Sequence, residues 1–195
     1  MKLALFDFDG TITGNDSLVD FIIYSQGELK AVFGFMLLSP VLLSYLIGWI
    51  PNFKAKQVVF SFFFRGWEEA DFKSISRSFA QVRLPNGVKK EALDRIAWHK
   101  TRGDKVVVVS ASLDCYLRPW CQTFHLDLIS TEVEYKDNAV TGEFSTENCY
   151  GREKVERLKQ RYQLKDFDYI YAYGDSKGDR EMLQLADEAW LGQFP

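Results

Sequence analysis

Three short, mostly apolar runs each end in polar groups, and this constrains the fold more than any other feature of the chain. Lys2 to Phe8 closes on Asp7, Asp9 and Gly10. Lys105 to Val109 (KVVVV) closes on Ser110-Ala111-Ser112. Asp168 to Tyr173 (DYIYAY) closes on Gly174-Asp175. Runs of this length, rich in β-branched and aromatic residues and bounded by turn residues, predict buried strands. Ala189 to Leu191 predicts a further short one. Helical spacing lies between them. Val88 to Arg102 places Val88, Ala92, Leu93, Ile96 and Ala97 on one face before Gly103, and Arg152 to Tyr162 aligns Val155, Leu158 and Tyr162. Gly178 to Ala186 carries Met182, Leu183 and Leu185. Strands alternating with helices predict an α/β fold with a parallel sheet and helices on both faces. Residues 129–144 depart from the alternation. There ISTEVEY and AVTGEFS flank Lys136-Asp137-Asn138, the pattern of a β-hairpin. In an open parallel sheet, ligands bind at the carboxyl ends of the strands, which is where Asp7, Ser110 and Asp175 fall.

The chain has 195 residues, which suits one catalytic domain carrying an insert. At 47% hydrophobic it has ample material for a core. A formal net charge of -3, with both signs interspersed, gives no basic stripe for nucleic acid. Cys115, Cys121 and Cys149 form no CxxC pair and leave an odd count, which predicts reduced thiols and a cytoplasmic setting. The opening MKLALFDFDG imitates a signal peptide for only a few residues before Asp7 and Asp9 interrupt it. It reads as the first strand of the mature protein.

Asp7 and Asp9 stand two apart, so their carboxylates are close and repel without a cation. Alone, DFDG is as well read as a polar turn. Gly174-Asp175-Ser176-Lys177-Gly178-Asp179 adds two more carboxylates after another strand. Oxygen donors converging in this way suit Mg²⁺. Ser110-Ala111-Ser112 can offer a hydroxyl and backbone N–H groups to phosphate oxygens. Lys154 follows Gly151 in the first turn of a helix, where a solvated lysine is the ordinary alternative.

Taken together and in this order, DFDGT, an apolar run ending in SAS, a lysine near a helix start and GDSKGD resemble the haloacid dehalogenase-like superfamily. The stretches YGREKVERL and YIYAYGDSKGDREML look like the branch that holds phosphoserine phosphatase and phosphatidylglycerophosphatase C. The resemblance implies a Rossmann-like core over residues 1–13 and 85–195, a helical cap inserted over 14–84, and a magnesium-dependent phosphomonoester hydrolase. Asp7 would be the nucleophile that forms an aspartyl-phosphate, and Asp9 the acid and base. Asp7, Asp9 through its backbone carbonyl, and Asp175 would hold Mg²⁺. Ser110, Ala111, Thr11 and Lys154 would bind the phosphoryl group, and Asp179 would orient a metal-bound water or Lys154. Asp16 falls where the phosphoserine phosphatases place a substrate-contacting glutamate; the alternative is a helix N-cap. A dehalogenase needs no second carboxylate at Asp9, and a P-type pump would carry lysine in place of Phe8. A phosphomutase would keep both aspartates, and an inactive binding module would have no need of the full set.

Residues 31–53 contain no charged side chain, between Lys30 and Lys54. By length this is a candidate membrane span. A single crossing would separate Asp7 from Ser110, Lys154 and Asp175, and Pro40 disfavours one continuous helix. Two short helices, roughly 29–38 and 41–49, are expected instead. Three partners for this hairpin stay open: the interior of the cap, a membrane surface or lipid tail, or a second copy of the chain. Trp49, Phe53, Lys54 and Lys56 fit an interfacial anchor, which would place the protein on the inner face of a membrane. The substrate reading divides likewise between a lipid phosphate and a soluble amino-acid or amino-alcohol phosphate. Arg65 could meet a substrate anion or be solvated. His99 and His125 have no metal-like spacing.

Overall fold

The computed structural model describes all 195 residues. Strand β1 (Lys2–Phe6) is followed by five helices: α1 (Ser17–Gln26), α2 (Glu28–Leu37), α3 (Ser39–Leu46), α4 (Asn52–Phe64) and α5 (Glu69–Val82). Then come α6 (Lys90–Thr101), β2 (Lys105–Leu113), α7 (Asp114–Thr123), β3 (Asp127–Thr131), and the strands β4 (Val133–Lys136) and β5 (Ala139–Phe144). The chain ends with α8 (Arg152–Arg161), β6 (Tyr169–Gly174), the short α9 (Arg180–Leu183) and β7 (Glu188–Leu191).

The main sheet has the order β3-β2-β1-β6-β7, with every neighbouring pair parallel. This is the α/β fold expected from the alternation of elements. Both faces are buried, and alternate residues serve opposite sides. Leu3, Leu5, Val107, Val109, Ile170 and Ala172 pack with Leu158 of α8 and Met182 of α9. Ala4, Phe6, Val106, Val108, Tyr171 and Tyr173 face Ile96 of α6, Trp120 of α7 and the helices after β1.

Two expectations are corrected. The antiparallel hairpin is shorter than 129–144: Ile129–Thr131 belong to β3 in the main sheet, and only β4 and β5 form the hairpin. Ile129 is buried against β2 and α8, a role that its local pattern shares with a hairpin strand. The hairpin turns at Asp137 and Asn138, both in the left-handed region at φ 51 and 61, as a tight two-residue turn requires. Secondly, β2 does not stop before Ser110 but runs on to Leu113. Its pairing with β3 shifts between Ser110 and Leu113, so the strand is irregular where the polar residues lie.

The phenylalanines concentrate in the helices between β1 and β2. Phe21 of α1 stacks on Phe64 of α4 with centroids 5.1 Å apart, and Phe72 of α5 meets both rings edge-on. This aromatic cluster holds α1, α4 and α5 together and reaches the small hairpin through Phe60 and Phe144, 5.2 Å apart. Helices α2 and α3 break at Leu38 and bend by 62°. No single helix is long and apolar enough to cross a membrane.

Candidate active site

Asp7 follows β1 directly, and its N–H donates to the Tyr173 carbonyl of β6 at 2.9 Å. The hydrogen bond carries the sheet pairing one residue past the strand, which fixes the nucleophile candidate between its neighbours. Lys154, in the first turn of α8, is buried. Its ammonium donates to Asp7 Oδ1 and to Asp179 Oδ1, each at 2.5 Å. Asp179 Oδ2 in turn accepts from the N–H groups of Asp175 and Ser176 and from the Ser176 hydroxyl. Burial alone would push the Lys154 ammonium down, but Asp7 and Asp179 outweigh it and hold the group above its ordinary range. Burial pushes Asp7 up to about 7, against the pull of Lys154. Burial also acts to raise Asp179, yet Lys154 and the two backbone donors keep it below the usual carboxylate value.

Asp9 faces a different set of partners. Its Oδ1 accepts from the Ser17 N–H at 3.1 Å, and its Oδ2 accepts from the hydroxyls of Ser17, at 3.0 Å, and Ser112. Burial and the nearby Asp16 push Asp9 up to about 6 in spite of these donors. Asp16 caps α1, accepting from the Leu18 and Val19 N–H groups at 2.9 and 3.1 Å. The cap alternative therefore holds, and Asp16 also lines the cavity beside Asp9.

That cavity has a volume of about 280 Å³. Asp7, Asp9, Asp16, Ser110, Ala111, Lys154 and Asp179 all reach it. Two expected members do not. Thr11 donates to Asp7 Oδ2 at 3.4 Å but lines a second cavity, together with Gly10 and Lys89. Asp175 stands at the rim, exposed, and joins Asp7 and Asp179 in a group whose ligand atoms lie within 4.8 Å of one another. Gly10 explains this approach. It sits at φ +80, and a Cβ there would lie 2.1 Å from Asp175 Oδ2, so only glycine lets the two segments meet. The Asp179 carboxylate joins this group, while the Asp9 side chain is turned toward Ser17 and Ser112, an orientation compatible with a metal role for its backbone carbonyl alone. Hard oxygen donors without histidine or thiolate fit Mg²⁺.

Sequence reasoning missed three residues. Ser17 had a local signal, since it follows the N-cap of a helix that starts beside Asp9. Tyr150 lines the cavity with its ring against Gly178, where a Cβ would lie 2.3 Å from the ring. Lys56 is the larger surprise. Read as part of an interfacial anchor, it instead extends from α4 into the cavity, and its ammonium donates to the Ala111 carbonyl. Burial lowers its pKa, with Asp9 and Asp16 opposing. Nothing local marks Lys56, because its direction depends on how α4 packs. Arg65 is exposed and lies outside the cavity. His99 is buried between Asp104 and the Tyr173 hydroxyl, at 2.8 and 2.9 Å, as a structural residue, and His125 is exposed.

A family model described as haloacid dehalogenase-like hydrolase matches residues 4–184. The chain belongs to this family. Among curated relatives of this hydrolase, protein CicA of Caulobacter vibrioides is 33% identical over 188 residues, 95% of this chain and 83% of that protein. A probable phosphatase of Mycobacterium tuberculosis is 32% identical over 127 residues, 64% of this chain and 44% of that one. Among solved structures, a protein of unknown function from Bordetella pertussis Tohama I superposes with a TM-score of 0.84 at 22% identity, covering 96% of this chain and 88% of its own. A substrate-bound phosphoserine phosphatase superposes with a TM-score of 0.70 at 19% identity, covering 97% and 85%. These likenesses carry the haloacid dehalogenase-like fold.

Proposed function

We propose that this hydrolase is a magnesium-dependent phosphomonoesterase working through an aspartyl-phosphate on Asp7. The observation that carries the reading is the Asp7–Lys154–Asp179 contact, which lies beside Ser110 and Ala111 at the carboxyl edge of the sheet. Lys154 balances the charge of a transferring phosphoryl group, and Ser110 and the Ala111 N–H hold its oxygens. Asp7 attacks phosphorus as the ester P–O bond breaks, and the leaving oxygen takes the proton of Asp9. Asp9, now a carboxylate, takes a proton from water; the water oxygen attacks phosphorus, freeing Asp7 and inorganic phosphate. A carboxyl raised to about 6 supplies that proton and recovers it near neutral pH. Asp7, Asp175 and the Asp9 carbonyl are the groups that would hold Mg²⁺, with Asp179 fixing Lys154. The ion would offset the repulsion between a carboxylate and an anionic phosphate.

Residues 14–84 are proposed as the cap over a core of 1–13 and 85–195. In support, α1 to α4 and the Asp16 cap supply one wall of the cavity. The test is Mg²⁺-dependent release of phosphate from a generic aryl phosphate. Asp7→Asn is expected to reduce it to background. Retained turnover would overturn the covalent role, and no release by the wild-type protein would favour a binding module.

A lipid phosphate is the favoured substrate class over a soluble metabolite phosphate. Leu18, Val19, Phe35, Leu42 and Val59 make the inner wall apolar, and α2 and α3, which supply part of it, are apolar outside as well. Met36, Leu46 and Trp49 are 66, 74 and 79% exposed. This weighs against the interior of the cap as the place where the hairpin's side chains go. It supports contact with a membrane surface presenting the substrate.

A further inference from the structure

Lys89 lies just before α6 and has no part in the chemistry described above. Its side chain crosses to the loop that carries Asp7 and Asp9, and its ammonium donates to the Gly10 carbonyl. Its own N–H donates to the Ile12 carbonyl at 2.9 Å. One residue thus holds two carbonyls of the same tight loop. We infer that Lys89 is a positioning residue for the metal-binding edge, fixing the Gly10 turn at the distance from Asp175 that lets both segments serve one cation. This rests on the Mg²⁺ reading above.

Three observations support the inference. First, Gly10 lies so close to Asp175 that a Cβ there would come within 2.1 Å of Oδ2, so the position of the Gly10 turn limits how closely the loop after β1 and the Asp175 segment approach. Second, the outer side of this loop is not packed. A cavity of about 560 Å³, lined by Gly10, Thr11, Lys89, Arg95 and Trp98, lies behind it. No side chain fills that space to hold the turn in place of the ammonium. Third, Lys89 has no carboxylate partner; the Gly10 carbonyl is its side chain's one hydrogen bond. Its charge does act on the Asp175 carboxylate, whose pKa burial raises and Lys89 acts to lower, but a cation so placed competes with a metal ion for that carboxylate, so charge alone would oppose metal binding. Its hydrogen bond to the backbone is the feature that accounts for its position.

Charge and position therefore predict opposite signs. If Lys89 acted only through its charge, Lys89→Met would tighten metal binding. If it positions the loop, the same substitution loosens it. Loss of a partner that orients metal ligands typically costs roughly 10–100-fold in affinity. The experiment is Mg²⁺ binding by titration calorimetry on the full chain without substrate. Lys89→Met is expected to bind Mg²⁺ roughly 10–100-fold more weakly, and Lys89→Arg, which keeps a cationic donor, to stay within a few-fold of wild type. Binding by Lys89→Met as tight as or tighter than wild type would overturn the inference, as would equal weakening in both variants. If the methionine variant does not fold, Lys89→Gln is measured with the same two outcomes. Absence of Mg²⁺ binding in the wild-type protein would remove the reading beneath the inference, and that control separates the two failures.

Discussion

Asp7 and Asp9 stand two residues apart, yet their carboxylates meet opposite surroundings. Asp7 is held by an ammonium, whereas Asp9 is held by hydroxyl and backbone donors alone, with Asp16 close by. Burial raises both, Asp7 to about 7 and Asp9 to about 6, so their partners and not their titration separate the proposed roles: Lys154 favours the ionised Asp7 for attack, and Asp9, with no ammonium bonded to it, would carry the proton. The burial of Asp9 also has a cost in stability. Below about pH 4, Asp9 is protonated in both folded and unfolded chains. As pH rises through about 6, the folded protein must hold an ionised carboxylate that water would solvate better. Stability of the metal-free protein should therefore fall across that window. Asp9→Asn is expected to stabilise the metal-free fold at pH 8 by about 1–3 kcal/mol, with the gain vanishing near pH 4, while slowing both protonation of the leaving group and dephosphorylation. Chemical unfolding at the two pH values, with single-turnover kinetics, checks it; equal stability at pH 8 would show that the Asp9 site is not strained by ionisation.

At the scale of elements, the α2–α3 hairpin is held from one side only. Gly34 of α2 lies so close to Phe63 of α4 that a Cβ would come within 2.4 Å of the ring, and Phe35 packs on the same ring with centroids 5.4 Å apart. The opposite face, with Leu29, Phe33, Leu46 and Trp49, is largely exposed. Gly34→Ala should push α2 off α4 and cost about 1–3 kcal/mol, the usual penalty for overpacking, read as a lower thermal midpoint. The outer face makes a separate prediction. Leu46→Ser with Trp49→Ser should reduce co-sedimentation with anionic liposomes and leave turnover of a water-soluble aryl phosphate unchanged. A wild-type protein that stays in solution beside such liposomes would remove the membrane reading.

At the scale of the whole molecule, the parallel order β3-β2-β1-β6-β7 puts β1 at the centre, so Asp7 emerges between the strands that deliver Ser110 and Asp175. The helices between β1 and β2 wall the cavity with mostly apolar side chains, so under the proposed function the choice of substrate would rest with them. A turnover panel of lysophospholipid phosphate, phosphatidylglycerophosphate, phosphoserine and phosphocholine is expected to show the highest kcat/KM for a lipid phosphate. A preference for phosphoserine would reverse that choice while leaving the phosphatase reading intact. The sequence by itself determined the sheet and its reactive edge. Strand-length apolar runs ending in Asp7, Ser110 and Asp175 signal themselves locally, because strand ends and ligand edges coincide in parallel sheets. It also set a break in the apolar run near Ser39-Pro40, which the structure places one residue earlier, at Leu38, since proline suits a helix start and not its interior. Only the tertiary structure decided the rest. Ile129 reads equally well as a hairpin strand or a sheet strand until a neighbour claims it. Lys56, Lys89 and Tyr150 look like ordinary surface residues until packing aims them at Ala111, Gly10 and Gly178, because a side chain's partner across tens of residues is set by how helices cross, and no local pattern encodes that.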